Sequence, residues 1–271
     1  MAKSSKTIQI AAVAIIAVVA IAAIGIVLMG GLGADDRSAL EKIKDRGKLI
    51  VGTSAGFPPF EMLNTSAAGG VEGIDMDVAK AIADSLGVEL EIKNYDDFSV
   101  LITALQNGKI DMVIAGMTIT DDRNESAAFS MPYYKADQAL VVLKSNSEIT
   151  NTTGLVGKTV AVNTGTTGQY YIEDNLPNIK EMKPFGTASD TFQALGGNKV
   201  DAIIIDSPVA ANYISDSNPY KIVETIETNE FYGIAMSKNN AEDLVAEVNK
   251  IVGDMIESGE MDDIISKWSR A

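Results

Sequence analysis

The sequence predicts an α/β protein built from two similar lobes, and two observations carry this prediction. Apolar segments with strand character alternate with segments of about a dozen residues whose apolar side chains recur at helical spacing. The pattern then repeats, because ALQNGKIDMVIAG (104–116) resembles ALGGNKVDAIIID (194–206) at a constant offset of 90 residues. Alternating strands and helices favour a largely parallel sheet, and the repeat favours two lobes that face each other. Chance likeness between two helix–strand units is the alternative.

The predicted elements have recognisable starts and ends. Ser38 with Glu41 forms a capping box for a helix that Gly47 ends. The strand KLIVGTS, a helix over 74–87, the strand VELEIKNY, the helix FSVLITALQNG and the strand KIDMVIAG then follow in this order. The segment GKTVAVNTGTTGQYYIEDNL (157–176) repeats the strand, loop and helix that begin at Gly47. The second lobe is therefore expected to copy the first.

Composition excludes several kinds of function. The chain has 271 residues and a formal net charge of -15, so the basic patch expected of a nucleic-acid-binding protein is not visible. It contains neither cysteine nor histidine, which excludes thiol nucleophiles, disulfides, histidine bases and Cys/His zinc sites. A serine, lysine or carboxylate mechanism stays open. We expect no nucleic-acid partner, no bound metal and no cofactor.

The amino terminus predicts a membrane anchor. Residues 7–29 carry no charge, and a helix of 23 residues is long enough to cross a hydrocarbon core of ~30 Å. Lys3 and Lys6 precede this run and an acidic pair follows it, so the positive-inside rule places the rest of the chain outside the cytoplasm. A cleaved signal peptide is the alternative, although its apolar region is usually ~7–15 residues long. We expect the domain on the extracellular face of the membrane or in the periplasm.

Polar residues collect where the predicted strands end, which is where open α/β sheets bind ligands. These ends are Thr53-Ser54, Gly116 to Thr118, Asn163 to Thr167, and Asp206. Arg123, one of four arginines, follows the second end and offers a fork of donors to a carboxylate. Asp206 is an acid behind an apolar run and should have a cationic partner. A residue that can bind a carboxylate, beside one that can bind an ammonium group, is what a binding site for a free α-amino acid requires.

Each of these residues also has a structural explanation. Arg123 could be a solvated turn residue, and Thr166 and Thr167 could cap a helix. Asp206 could cap the helix that begins near Pro208, and Phe57 and Phe98 could be core aromatics. The binding hypothesis is favoured because all of these residues lie at strand ends or in adjoining loops.

Several motifs, in order and spacing, resemble the extracellular solute-binding proteins of ABC importers for polar amino acids (family 3, type II periplasmic binding proteins). The likeness runs from about residue 38 to the carboxyl terminus, on VGTSAGFPPFE, GIDMDVAKAIA, ALQNGKIDMVIAGMTITDDR, FSMPYY, VAVNTGTTG and VDAIIID. It implies two α/β lobes joined by two hinge strands, near 139–143 and 232–235. The implied domains are 1–34 (anchor or signal segment and linker), 35–140 (lobe 1), 141–232 (lobe 2) and 233–271 (lobe 1, returning).

The resemblance also implies roles for individual residues. Arg123 would hold the ligand's α-carboxylate, assisted by Thr118 and by the Thr167 amide. The α-amino group would lie between the Gly116 carbonyl, the Thr118 hydroxyl and Asp206. The binding residues expected on these grounds are Ser54, Phe57, Phe98, Gly116, Thr118, Arg123, Asn163, Thr166, Thr167 and Asp206. The expected partners are a free L-amino acid and an ABC permease, and the protein is expected to act as a monomer without catalysis.

Two departures from the family bear on the ligand. Relatives for basic or amide side chains often have aspartate where this chain has Ser54, and several have a charged residue at the position of Asn163. We therefore expect glutamine or a similar neutral polar amino acid, with arginine second if Glu61, Asp96 or Asp97 lines the pocket. A lyase or dehydratase with Glu61 as general acid, and the sensor domain of a receptor, are the alternatives.

Overall fold

The computed structural model describes residues 36–269. The helices of this range are α1 (Ala39–Arg46), α2 (Ile74–Leu86), α3 (Leu101–Gln106), α4 (Asp121–Ser126), α5 (Thr167–Asn175), α6 (Ala188–Gly196), α7 (Ser207–Tyr213), α8 (Glu242–Ser258) and α9 (Glu260–Trp268). Its strands are β1 (Lys48–Thr53), β2 (Met62–Leu63), β3 (Val71–Glu72), β4 (Glu89–Asn94), β5 (Met112–Val113), β6 (Ala128–Phe129), β7 (Tyr134–Leu143), β8 (Thr159–Asn163), β9 (Glu181–Phe185), β10 (Ala202–Asp206), β11 (Tyr220–Tyr232) and β12 (Ala235–Met236).

The predicted membrane anchor, residues 7–29, lies outside the described residues. Among the helices between residues 36 and 269, none combines the length and the apolar character needed to cross a membrane.

Two five-stranded sheets form the centres of two lobes. Their strand orders are β4-β1-β5-β12-β6 and β9-β8-β10-β7-β11. In each sheet three neighbouring strands are parallel, and the fourth runs antiparallel to both of its neighbours. The predicted parallel sheet is therefore right for all but one strand of each sheet. That strand, β7 or β12, is the first that the chain forms after it crosses from the other sheet.

The internal repeat is present in the structure. The Asp111 amide donates to Ile50 O at 2.8 Å, and the Asp111 carboxylate accepts from the Ile50 amide at 2.7 Å. Asp201, 90 positions later, makes the same two hydrogen bonds with Thr159, at 2.8 and 2.7 Å. Each aspartate ties the start of a central strand to its parallel neighbour. The two units are therefore structural counterparts at these positions.

The two crossings between the sheets run side by side. The chain leaves the first sheet after β6 and returns to it before β12. Between these points, the Ser130 amide donates to Ile234 O at 2.9 Å and the Tyr133 amide donates to Tyr232 O at 3.0 Å. The return crossing lies where the resemblance placed it. The first does not, because residues 139–143 lie inside β7 and pair with both β10 and β11.

The first helix, α1, has the capping residues that the sequence predicted at both of its ends. The Ser38 hydroxyl accepts from the Glu41 amide at 3.1 Å, and Glu41 accepts from the Ser38 amide at 2.9 Å, which confirms the predicted capping box. Gly47 ends α1 at a φ of 68°, a conformation that favours glycine.

Lys267 and Trp268 of α9 donate to Asp77 of α2 at 2.7 and 2.6 Å. The carboxyl-terminal helices therefore pack on lobe 1, as the resemblance implied.

Candidate ligand-binding site

A cavity lies between the carboxyl ends of strands from the two sheets. The space between the protein atoms there measures about 420 Å³, a volume that includes space open to solvent. The structure places all ten residues of the predicted site in its lining: Ser54, Phe57, Phe98, Gly116, Thr118, Arg123, Asn163, Thr166, Thr167 and Asp206. The rest of the lining comprises Ala55, Gly56, Glu61, Ala115, Gly186, Thr187 and Ala188. Both lobes therefore contribute to one site.

Arg123 is held in a fixed position at the start of α4. The hydroxyl of Thr120, the N-cap residue, accepts from the Arg123 amide at 3.2 Å. The guanidinium donates through Nη1 to Thr118 O at 2.6 Å and through Nη2 to Gly165 O at 3.0 Å. Its Cζ lies 5.3 Å from the centroid of the Phe98 ring. Because Gly165 belongs to the opposite lobe, this side chain also bridges the closed cleft, so it is not a solvated turn residue.

The Arg123 guanidinium lacks a counter-ion within residues 36–269, where it forms no ion pair with an acidic side chain. Burial lowers its pKa because desolvation disfavours the charged form, while surrounding negative groups, Asp206 among them, act in the opposite direction. Two of its five N–H groups serve the carbonyls of Thr118 and Gly165. Arg123 is thus a positioned cation with donors left for an anion.

Asp206 ends β10 on the opposite side of the cavity and is 4% exposed. The Gln138 amide donates to its Oδ1 at 2.9 Å, and the Tyr232 hydroxyl donates to its Oδ2. Asp206 occupies the N-cap position of α7, but its side chain makes no capping hydrogen bond. Burial, and then the charge of Glu230, raise its pKa to about 6. The helix-capping explanation is therefore wrong for Asp206.

The cationic partner expected for Asp206 is not found among the side chains of the described range. Its hydrogen-bond donors are an amide and a phenol, and Arg123 acts on it only through longer-range attraction. A carboxylate whose charge is disfavoured by burial is stabilised by a cation placed beside it. Asp206 therefore offers a site for an ammonium group from a ligand.

The two threonines of the second lobe do not act as simple helix caps. Thr166 is the N-cap residue of α5, yet its side chain makes no capping bond, and its hydroxyl donates to Asn163 O at 2.8 Å. The Thr167 hydroxyl donates to Glu230 at 2.5 Å. The amino end of α5 therefore faces the cavity with its backbone amides free of side-chain caps, an arrangement that suits an anion.

Glu230 on β11 connects the two lobes beneath the site. Its Oε2 accepts from the hydroxyls of Thr118, at 2.9 Å, and Thr167, at 2.5 Å. Its Oε1 accepts from Gln138 at 3.1 Å, and Gln138 also serves Asp206. Sequence reasoning missed both Glu230 and Gln138. They are polar residues of long strands, and nothing local distinguishes them from exposed neighbours.

Gly116 occupies a backbone position that does not accommodate a side chain. Its φ is 53°, and a Cβ added to it would lie 2.9 Å from the Phe57 ring. Its amide donates to the buried carboxylate of Asp75 at 2.6 Å, and the Tyr133 hydroxyl donates to the same carboxylate at 2.8 Å. Asp75, from the first turn of α2, thus fixes the backbone at Gly116, the first residue of the segment GMTIT (116–120). Sequence reasoning assigned it no role in the site.

Glu61 is the lining residue whose chemistry is most unusual. It is 1% exposed, and its Oε2 is buried without a hydrogen-bond partner in the described residues. Burial, then the charge of Asp75 and a hydrogen bond to that residue, raise the pKa of Glu61 well above its usual range. Burial also raises the pKa of Asp75 to about 6, against the effect of its hydrogen bonds. Burial therefore favours the protonated form of both carboxyls at the wall of the cavity.

The acidic groups at the cavity do not form a metal centre. Within the part of the chain that the structure describes, no group of three or more acidic side chains is arranged to hold a metal ion.

Comparisons with known proteins give a consistent family. Residues 49–271 match the model for bacterial extracellular solute-binding proteins, family 3. The chain is similar to a probable histidine-binding protein of Neisseria gonorrhoeae, with 34% identity over 89% of this chain and 90% of that protein. It is also similar to the glutamine-binding protein GlnH of Bacillus subtilis (strain 168), with 33% identity over 86% of this chain and 85% of that protein.

A solved structure extends the agreement to the fold. An ancestral arginine-binding protein bound to arginine is 42% identical and superposes with a TM-score of 0.77, over 82% of this chain and 98% of the other. The same relative, bound to glutamine, gives a TM-score of 0.76. A two-lobe fold, a cleft at the carboxyl ends of the strands and a match over residues 49–271 lead to one assignment. This chain belongs to the bacterial extracellular solute-binding proteins, family 3.

Proposed function

We propose that this protein binds a free L-amino acid outside the cell, in the cleft between its lobes, and delivers it to an ABC permease. The observation that carries the proposal is the pair formed by Arg123 and Asp206. These opposite charges line one cavity, and neither has a counter-ion among the described side chains. An α-carboxylate and an α-ammonium would satisfy both. Relatives named as histidine-, glutamine- and arginine-binding proteins support this reading.

The proposed contacts follow from the donors and acceptors in the cavity. Arg123 binds the α-carboxylate with its remaining N–H groups, assisted by Thr118 and the Thr167 amide. The Thr118 hydroxyl donates its proton to Glu230, so its lone pairs are available to the α-ammonium beside Asp206 and the Gly116 carbonyl. Further contacts with the ligand's side chain come from Phe57, Phe98, Ser54, Asn163 and Thr166.

Transport requires the cleft to open and close, and we propose that the adjacent crossings at 130–133 and 233–234 are the hinge. In the present closed arrangement Arg123 of lobe 1 donates to Gly165 of lobe 2. A ligand that contacts both lobes binds the closed form more tightly and shifts the population toward it. Of the expected domain limits 35–140, 141–232 and 233–271, this proposal keeps the one at 232–233 and moves the one at 140 to about 130–133, because β7 belongs to the second sheet. The closed form is the one that a permease would recognise.

The cellular context belongs to the same proposal. The uncharged run at residues 7–29 anchors the protein in the membrane, with the binding domain on the extracellular or periplasmic face. The protein acts as a monomer and needs no chemical step. On sequence grounds its ligand is glutamine or a similar polar amino acid, with arginine second.

One observation favours an enzyme as the second candidate. A lyase or dehydratase needs a general acid that keeps its proton near neutral pH, and Glu61 lines the cavity with a raised pKa. Prolonged incubation with the tightest-binding amino acid, followed by NMR, separates the candidates. The transport proposal predicts an unchanged ligand. A dehydrated or deaminated product in molar excess over the protein would establish catalysis.

The direct test is equilibrium binding. We expect calorimetric titration of the full-length chain with each of the twenty amino acids to show saturable, one-to-one binding of one or a few polar members. The matching α-hydroxy acid should bind poorly, because it lacks the ammonium group that Asp206 requires. Failure of all twenty to bind would reject the proposal.

A further inference from the structure

Glu61 is the charged lining residue that the α-carboxylate and α-ammonium contacts leave unused. The cavity lining contains three ionisable side chains, Arg123, Asp206 and Glu61. The α-carboxylate and α-ammonium of an amino acid would neutralise the first two. Glu61 would then remain beside the ligand's side chain, buried and without a cation among the described residues. Its charge must be met by the ligand or removed by a proton.

The loop that carries Glu61 aims it at the same part of the cavity as an aromatic ring. The Phe57 amide donates to Glu61 O at 3.0 Å, and the Glu61 amide donates to Phe57 O at 3.2 Å. This pairing brings the two residues side by side although three others separate them in sequence. The ring of Phe57 and the carboxyl of Glu61 therefore enter the cavity next to each other. Of the three acids considered from sequence for this role, Glu61 alone lines the cavity.

The surroundings of Glu61 are acidic. Asp75 of α2 contacts it directly, and Asp206 of β10 raises its pKa from a greater distance. Tyr133, ahead of β7, donates to Asp75 and is a neutral neighbour at ordinary pH. The basic group of the lining, Arg123, already faces Thr118 and Gly165. The local field therefore favours a positive charge on the part of the ligand that reaches Glu61.

The hydrogen-bonding inventory of the cavity points the same way. Two buried acceptors in the lining, Glu61 Oε2 and Asn163 Oδ1, have no donor within the described part of the chain. A guanidinium carries five N–H donors and no acceptor, and its plane stacks on aromatic rings. Phe57 and Phe98 supply such rings, and Phe98 already lies under the guanidinium of Arg123. A ligand with a planar, donor-rich cation would meet all of these groups.

On the basis of the proposed function, we propose that Glu61 selects the ligand's side chain and that the ligand is a cationic amino acid whose guanidinium pairs with the Glu61 carboxylate. This inference reverses the order of preference drawn from sequence, in which glutamine came before arginine. That order depended on Ser54, which stands where relatives often have an acid. Glu61 supplies the missing charge from four residues after Phe57.

A proton accompanies this recognition. Burial raises the pKa of Glu61 well above its usual range, which favours the protonated carboxyl while no cation lies beside it. When a guanidinium pairs with Glu61, the protonated carboxyl releases its proton to solvent and becomes the carboxylate, so one positive charge replaces another. The ligand thereby lowers the pKa of Glu61, and arginine affinity should fall as the pH is lowered. A neutral amide in the same place would release no proton from Glu61.

Arginine and citrulline provide the test, because they have nearly the same shape and differ in the charge of the terminal group. Calorimetric titrations of the full-length chain at pH 7 should show arginine binding at least about 100-fold more tightly than citrulline. Repeated in buffers of different ionisation enthalpy, they should show more protons released with arginine. Parent protein that binds citrulline or glutamine as tightly as arginine would overturn the inference. Tighter binding of lysine than of arginine would overturn the guanidinium assignment.

The variant Glu61→Gln should lose the preference for arginine while its affinity for citrulline is kept or improved, a result that a misfolded protein would not give. Asp96→Asn is the matched control, because Asp96 is an exposed acid outside the cavity lining, and it should behave like the parent. An unchanged preference in Glu61→Gln would reject the role of Glu61. If the parent bound no amino acid at all, the proposed function would be rejected. Failure of the Glu61 inference and failure of the proposed function are therefore distinguishable.

Discussion

Replacement of Arg123 by alanine should remove most of the ligand affinity. The guanidinium has no counter-ion in the described residues, lies in a closed cleft, and bonds carbonyls of both lobes. Removal of one partner of a buried charge pair costs about 3–5 kcal/mol. Because the cavity leaves this side chain partly exposed until a ligand fills it, we use the lower part of that range. A loss of about 3–4 kcal/mol corresponds to a roughly 150- to 1,000-fold weaker Kd.

The assay is calorimetric titration of the parent and Arg123→Ala with the tightest-binding amino acid, accompanied by thermal melting with and without ligand. Arg46→Ala is the control, since Arg46 pairs with Asp111 at the surface, is 40% exposed and does not line the cavity. The control should keep the parent's Kd and its ligand-induced rise in Tm. Arg123→Ala should melt cooperatively without ligand but lose that rise. A Kd within about threefold of the parent would refute the assignment of Arg123 to the α-carboxylate.

Four further outcomes are expected. Asp206→Asn should weaken binding of the amino acid far more than binding of its α-hydroxy analogue, as calorimetry would show, because the charge opposite the α-ammonium is lost. Protonation of Asp206 alone should lower the parent's affinity by up to about tenfold per pH unit below about 6, since a ligand ammonium requires ionised Asp206, whose pKa is raised to about 6 without it. A flat profile between pH 4 and 7 would contradict this. Glu230→Gln should reduce the decrease in radius of gyration that ligand causes in X-ray scattering, because it weakens the link between Thr118 and Thr167. Full-length protein should fractionate with membranes and retain its own amino terminus, and recovery as soluble protein that starts near residue 30 would contradict the anchor.

The residues of the predicted site could be found from sequence because they lie at strand ends. The carboxyl ends of parallel strands meet at one edge of a sheet, so Ser54, Gly116, Asn163 and Asp206 are brought together once strand order is known. The repeat at an offset of 90 residues predicted a second lobe similar to the first. In the structure Asp111 and Asp201, 90 positions apart, make equivalent hydrogen bonds in the two lobes. Whether these residues bind a ligand stays a prediction.

The remaining features depend on tertiary contacts that no local pattern records. Glu230 and Gln138 reach the site because β11 and β7 pair with a particular register, which the alternation of their side chains does not reveal. The first crossing was placed too late because the apolar run of β7 continues without a turn signal. Asp206 was expected to have a cationic partner, but a phenol and an amide from distant strands serve it instead.

A crystal structure of the protein with its tightest-binding amino acid would test the central claim most directly. The account predicts a closed cleft in which an α-carboxylate oxygen lies about 2.7–2.9 Å from a guanidinium nitrogen of Arg123. The α-ammonium of the same molecule should contact Asp206. A ligand bound in the reverse orientation, or outside the cavity between the lobes, would contradict the account.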